Sequence, residues 1–291
     1  MEILCSTGAL IGRANDRDYH LLEGLAERLS CDGFEFMMYE SWYGEEDGSE
    51  RDELIRYLRE IRLHIPVMHC EKHIGERISK GTEAELAEAF RRFEINCETA
   101  AALGAKKLVC HLWDGLTSDC NFESNIKAYG RLAETAERYG VMLLVENVVC
   151  NVDNPMKHWC ELAKRYPDIR FVFDTKMAAF HEEENLLYQP EYEWLWREGH
   201  IRHYHVNDYG GGYKEWGKLK TLPIGEGHVD FDRFFDFIRK TGYDETFTVE
   251  ATAFGQDGTV DTEMLNGCFE KIRAFMGEKT VSGSFFGTKE A

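Results

Sequence analysis

The stretch from Met142 to Asp174, MLLVENVVCNVDNPMKHWCELAKRYPDIRFVFD, decides the fold. Its two ends, Met142–Val148 and Arg170–Asp174, are short runs rich in β-branched, leucine and phenylalanine residues, as buried strands of a parallel sheet require. Between them Met156–Tyr166 carries apolar residues at helical spacing, and Pro155 suits the first helical position, where its missing N–H costs nothing. The unit is strand, helix, strand.

The same alternation recurs outward in both directions. Strand-like runs fall at Ile3–Ser6, Phe34–Tyr39, Val67–Cys70, Lys107–Leu112, Met142–Val148, Arg170–Asp174, Arg202–Asn207 and Thr246–Glu250. Amphipathic segments lie between them. In Ala84–Leu103 the residues Leu86, Ala89, Phe90, Phe93, Cys97, Ala100 and Ala101 form one stripe, and Phe122–Tyr139, Phe231–Thr241 and Thr262–Met276 are built alike. Gly104, Gly140 and Gly242 follow directly on periodic stretches as helix stops, and Asp230 reads as an N-cap. Eight such units in roughly 280 residues predict a single α/β domain, an eight-stranded parallel (β/α)8 TIM barrel over residues 1–277. A doubly wound open sheet competes, but it wants a glycine-rich turn after the first strand, and Thr7–Gly12 imitates one poorly. Residues 278–291 read as a flexible polar tail. The long connection Asp208–Val229 is expected to form a lid or substrate wall over the barrel mouth.

Composition narrows the partners. With 34 Lys+Arg against 53 Asp+Glu the net charge is −19, which argues against binding nucleic acid or an anionic membrane through the general field of the protein; a polyanionic substrate would need a local basic pocket. Nine cysteines without a CxxC pair, and no basic-then-apolar leader, read as a reduced, cytoplasmic protein.

Six of the eight runs end in ionisable residues: His69, His111, Glu146, Asp174, His205 and Glu250. One polar strand end is ordinary, since a lone Glu146 or Asp174 serves equally as a cap or surface charge, and a lone His69 or His111 is more often a satisfied interior histidine. Six in succession are not what a core requires, because an unpaired buried charge costs several kcal/mol, on the order of 3–5. In a barrel all these ends converge on one face. Crowded carboxylates repel, and a divalent cation relieves that repulsion. His203 shares the parity of His205 two residues deeper, which places it inside the barrel.

These residues carry a resemblance. The order Glu146, Asp174, His205, Glu250 on strands 5 to 8, in the contexts Leu-Val-Glu146-Asn, Phe-Asp174-Thr-Lys, His205-Val-Asn-Asp and Pro-Ile-Gly225-Glu226-Gly227-His-Val-Asp-Phe, resembles the sugar phosphate isomerase/epimerase group of the xylose isomerase-like TIM-barrel superfamily. The resemblance implies one divalent metal ion held by Glu146, Asp174, His205 and Glu250. Three oxygen donors and one imidazole suit Mn²⁺ first, with Mg²⁺, Co²⁺ or Zn²⁺ compatible. It also implies proton exchange beside a carbonyl through an enediolate, with Glu146 and Glu250 as base and acid, and His69, His111, Lys176, Trp113 and Glu226 as substrate contacts. The partner expected is a small-molecule carbohydrate, with a homo-oligomer left open.

The chain departs from the free-ketose 3-epimerases of that group. Met177 stands where they carry a histidine, Gly211 where they carry an arginine, and Val152 where they carry a second glutamate. Met177 also removes a ligand of the related three-metal AP endonucleases. An inosose-type dehydratase of the same superfamily begins with the same proton abstraction, so sequence leaves it open beside isomerase and epimerase. An endonuclease-like phosphodiesterase or a non-catalytic sugar-binding barrel is more distant.

Overall fold

The computed structural model describes residues 1–43, 49–255 and 257–277; the expected tail 278–291 lies outside the described residues. Eight strands, β1 Glu2–Ser6, β2 Gly33–Met37, β3 Val67–His69, β4 Lys107–Cys110, β5 Met142–Glu146, β6 Arg170–Asp174, β7 Ile201–His205 and β8 Thr246–Val249, pair in chain order, all parallel, and β8 closes on β1. The (β/α)8 barrel expected from the alternation is present. The α-helices are α1 Leu21–Ala26, α2 Ser49–Glu60, α3 His73–Lys80, α4 Glu83–Leu103, α5 Phe122–Arg138, α6 Pro155–Arg165, α7 Thr175–Phe180, α8 Trp194–Arg197, α9 Phe231–Thr241 and α10 Thr262–Met276. Thr82 caps α4 through the Glu85 N–H, and Gly104 ends it at φ 83°, a left-handed conformation open to glycine without a Cβ penalty. Asp230 caps α9 through the Arg233 N–H, as its position before Phe231 predicts.

Strand parity sorts the side chains into two regions. Ile3, Phe34, Phe36, Met68, Leu108, Phe171, Phe173, Tyr204 and Phe247 face outward into the large core shared with the helices. Leu4, Val67, Val109, Leu144 and Val172 face inward and form a separate apolar plug. At the N-terminal end of the barrel Lys107 Nζ donates to the Arg202 carbonyl at 2.6 Å and to Thr246 Oγ1 at 2.9 Å, and pairs with Glu245 at 2.8 Å. Burial would deprotonate an unpaired lysine; these three acceptors satisfy it and seal that end. Above the apolar plug, the inward positions at the opposite end are polar.

The connection after β7 is more ordered than a mobile lid. Asp208 and Leu222 form an antiparallel bridge, and the buried Asp208 carboxylate accepts the N–H groups of Tyr209, Gly225, Gly227 and Val229 at 2.8–3.0 Å. Two glycines allow this wrap: Gly225 has φ 87°, and a Cβ at Gly227 would lie 2.2 Å from the Tyr209 carbonyl oxygen. Thr221 is the residue of this loop that lines the cavity at the barrel mouth. The loop therefore supplies one wall position rather than a cover.

Asp208→Ala removes the shared acceptor of four N–H donors. It should lower stability by about 2–4 kcal/mol in denaturant melts. Amide exchange at 225–229 should accelerate more than in the strands; unchanged exchange there would contradict this account of the loop.

Candidate active site at the barrel mouth

Four strand-end residues meet above the apolar plug. His205 Nδ1 lies 3.2 Å from Glu146 Oε1, 3.5 Å from Glu250 Oε2 and 3.9 Å from Asp174 Oδ2. One ligand atom from each of the four falls within 4.8 Å of all the others. They converge because each occupies an inward-facing position at a strand's C-terminal end, and Asp174 sits beside His205 in the β6–β7 register. Glu146, Asp174 and His205 are buried; Glu250 is partly open and lines the mouth cavity of about 620 Å³.

Two asparagines hold the carboxylates in place. Asn147 takes the Asp174 N–H at 2.6 Å and donates to the Asp174 carbonyl at 3.0 Å. Asn207 accepts the Glu250 N–H at 2.8 Å, while its amide donates to Glu250 Oε2 at 3.2 Å and Asp174 Oδ2 at 3.4 Å. Asp174 also caps α7: its Oδ1 accepts the N–H groups of Lys176 and Met177 at 2.7 and 3.2 Å. The cap uses Oδ1, while Oδ2 is the oxygen turned toward His205 and Asn207.

The expected contacts His69 and His111 both reach Glu146. Their Nε2 atoms lie 3.3 and 3.0 Å from Glu146 Oε2, and His111 Nδ1 lies 2.6 Å from Asp114. With a carboxylate at each nitrogen His111 is an imidazolium: burial opposes the charge, but Glu146 and Asp114 raise its pKa to about 10. Burial likewise opposes charge on His205, and Glu250, Glu35 and Glu146 raise it well above the usual imidazole range. Burial would raise the Glu146 carboxyl, but His205 and His111 hold it well below the carboxylate range. Asp174 goes the other way, to about 6, because burial outweighs the nearby Lys176 and because Glu146 and Glu250 repel its charge. Without a cation, then, protonated histidines relieve much of the carboxylate repulsion.

Lys176 is buried, lines the mouth cavity and donates to Thr221 Oγ1 at 3.0 Å. Two expected contacts stand elsewhere. Trp113 is fully buried, its indole N–H donating to the Val148 carbonyl at 3.3 Å and its ring edge-on to Phe122 and His158. A tryptophan whose donor and ring are both used inside the fold offers no face to a sugar. Glu226 is exposed on the tight turn around Asp208 and lines an adjoining cavity with Lys220, Pro223 and Phe254, which meets the mouth cavity at Thr221 and Thr252.

Glu35 was not singled out by sequence. It is completely buried on β2, with Oε2 2.8 Å from His203 Nε2 and accepting the Thr248 hydroxyl at 2.8 Å, and Oε1 3.1 Å from His205 Nε2. It orients the imidazole from below, leaving Nδ1 toward the three carboxylates. The signal is a glutamate between two phenylalanines in an apolar strand, opposite the parity-matched His203. His203 sits one layer below the mouth, where its parity places it.

The donor set fits a divalent cation: three converging carboxylates and one imidazole nitrogen, with no sulfur. A second group, Asp119, Cys150 and His158, has its acidic member already committed. The Asp119 oxygens accept the N–H groups of Asn151, Val152 and Asp153 at 2.7–2.9 Å, and Oδ2 lies 2.9 Å from His158 Nε2. That carboxylate clamps the segment after β5.

Comparison with known proteins agrees with this architecture. The chain is 23% identical over 215 residues to the L-ribulose-5-phosphate 3-epimerase UlaE of Escherichia coli O157:H7, covering 69% of each chain. Among solved structures it superposes on D-allulose 3-epimerase from Methylomonas sp. in complex with D-allulose, with a TM-score of 0.68, 17% identity and coverage of 94% and 96% of the two chains. It superposes equally on the IolI protein with a bound zinc atom, with a TM-score of 0.68, 16% identity and coverage of 95% and 98%. These structural likenesses show the shared fold. Residues 24–265, most of the barrel, match the family described as the xylose isomerase-like TIM barrel, and the chain belongs to that family.

Proposed function

We propose that this chain is a metal-dependent carbohydrate isomerase or epimerase that moves a proton at a carbon beside the carbonyl of a ketose or ketose phosphate. The observation that carries the reading is the approach of three carboxylates to the single nitrogen Nδ1 of His205, one of them, Glu250, lining an open cavity. Glu146, Asp174, His205 and Glu250 would hold one divalent ion, with manganese the first choice for so oxygen-rich a set. When bound it would supply positive charge for the substrate oxygen that becomes negative as the adjacent C–H ionises.

The chain's own residues do the rest. Glu250, which faces the cavity, and Glu146, which lies against His69, His111 and His205, serve as the acid–base pair. Taking the proton from one face of the carbon and returning one to the other inverts that centre. Returning it to the neighbouring carbon instead interconverts ketose and aldose. His111, already charged, donates toward Glu146 and is placed to hold a substrate hydroxyl or pass a proton, and His69 beside it does the same. The names of the relatives above, two of them sugar 3-epimerases, favour epimerisation. Nine free thiols fit the reducing cytoplasm.

Glu146→Gln and Glu250→Gln should each cut solvent-deuterium incorporation into a ketose substrate by about 10²–10⁴-fold while leaving the far-ultraviolet spectrum unchanged. Incorporation at the wild-type rate in either variant would remove that residue from the acid–base pair.

Metal affinity should rise with pH, since a cation must displace protons from Asp174 and His205. In the metal-free chain the folded Asp174 pKa, at about 6, lies above its ordinary value, so the stability it contributes is full below about pH 4 and lost as pH rises through 6. A bound cation needs the ionised form and reverses the balance. The melting-temperature gain on adding Mn²⁺ to chelator-treated protein should therefore grow from pH 5 to pH 7; a gain that is flat or shrinks would contradict the donor assignment.

A further inference from the structure

Two hollows open side by side at the C-terminal end of the barrel. The mouth cavity, of about 620 Å³, and its neighbour, of about 540 Å³, share Thr221 and Thr252 on their walls. Whole ligand pockets measure about 300–1,000 Å³, so the mouth cavity alone has room for a monosaccharide, and the second hollow is space beyond it. The two also approach each other at a third place. Phe254 lines the second hollow, and its ring tip lies 3.2 Å from where a Cβ would stand on Gly12, which lines the first.

The connections after β7 and β8 build the second hollow and are stitched together. The Thr252 N–H donates to the Thr221 carbonyl at 3.2 Å and the Asp261 N–H to the Ala253 carbonyl at 2.9 Å, while Leu222 is bridged to Asp208 and Phe254 to Val260. The lining combines apolar surface, from Pro223, Phe254 and Met264, with both signs of charge, from Lys220 and Glu226. Phe254 is half-buried yet, among the described residues, joins none of the hydrophobic clusters, so the fold leaves an aromatic face for something else to cover. Both threonines at the junction have an O–H to give. Thr221 accepts the Lys176 ammonium at 3.0 Å and keeps its own hydrogen, and Thr252 is exposed.

We propose that the second hollow is a further subsite, which takes a neutral sugar ring joined to the far end of the ketose, with Phe254 against the face of that ring and Thr221 and Thr252 at the linkage. This rests on the proposed function for the first ring. A sugar ring has an apolar C–H face and an edge of hydroxyls, so it uses an aromatic face and hydroxyl partners at once. Lys220 and Glu226 around one hollow offer a donor and an acceptor, which suits hydroxyls, whereas a charged group there would meet like charge as well as unlike. A purely apolar substituent would cover the two threonine hydroxyls without answering them, at a cost in affinity.

The test is calorimetric binding to the full-length protein with Mn²⁺ present, using four probes: D-fructose, its 4-O-glucosyl and 6-O-glucosyl derivatives, and its 6-O-benzyl ether. The expected result is that at least one disaccharide binds about tenfold more tightly than free fructose. In Phe254→Ala that ratio should fall about tenfold, toward one. Preference for the 4-O or the 6-O derivative identifies the linkage, and either supports the inference. Binding of both disaccharides no tighter than that of the free sugar overturns it, as does a preference that Phe254→Ala retains. Tighter binding of the benzyl ether than of both disaccharides overturns the sugar ring as occupant. Should Phe254→Ala fail to fold, Phe254→Leu keeps the apolar bulk, removes the flat face and carries the same expectation. Binding is read without turnover: a disaccharide preference without deuterium exchange would count against the proposed chemistry alone, and exchange on the free ketose without a disaccharide preference would count against the second subsite alone.

Discussion

Three carboxylates gathered around one imidazole nitrogen, two of them buried and the third partly open, set the terms for the rest of this barrel. Taking even one ionised carboxylate out of water costs several kcal/mol, on the order of 3–5 when a partner is missing, so three together must be compensated nearby. The compensation is visible in every direction. His111 and His205 carry positive charge against Glu146, Lys176 stands near Asp174, and the amides of Asn147 and Asn207 tie the strand ends that present the acids. Beneath them Glu35 turns the other nitrogen of His205 downward, and His203 and Thr248 satisfy Glu35 in turn. The network is continuous from the apolar plug to the open cavity.

That continuity explains a division within the site. Glu146, with three histidines against its carboxylate, is strongly favoured as an anion, and Glu250, whose side chain is 15% exposed, is the cluster member that reaches the cavity. Residues that look alike in sequence thus differ in burial and in access to the cavity.

Much of this was legible in the residues alone, and the reason is periodicity. Parallel strands buried on both faces read as short apolar runs, so β5 and β6 stand out around Pro155 and its helix, and the five amphipathic segments fall within a residue or two of α4, α5, α6, α9 and α10. Barrel closure turns the order of strand ends into proximity, which is why Glu146, Asp174, His205 and Glu250 could be grouped across more than a hundred residues of chain. Features without a period were harder to read. Trp113 looked like a sugar platform because an aromatic residue just past a strand end fits either a rim or a core; its indole bond to Val148 depends on how the segment after β5 folds back. Glu226 sat in a suggestive glycine-flanked motif, but those glycines serve the turn around Asp208. Glu35 was hidden because its partners lie on β7 and β8.

The central claim is that one cation is held by a single imidazole among oxygen donors, and X-ray absorption spectroscopy of the metal-loaded chain tests it directly. With one equivalent of Mn²⁺ or Zn²⁺ the account predicts a first shell of nitrogen and oxygen at about 2.0–2.2 Å containing one imidazole and no sulfur. A shell with a sulfur scatterer would move the site to Asp119, Cys150 and His158. Two or more imidazoles would move it toward His69 and His111. Either result would contradict the four-residue site.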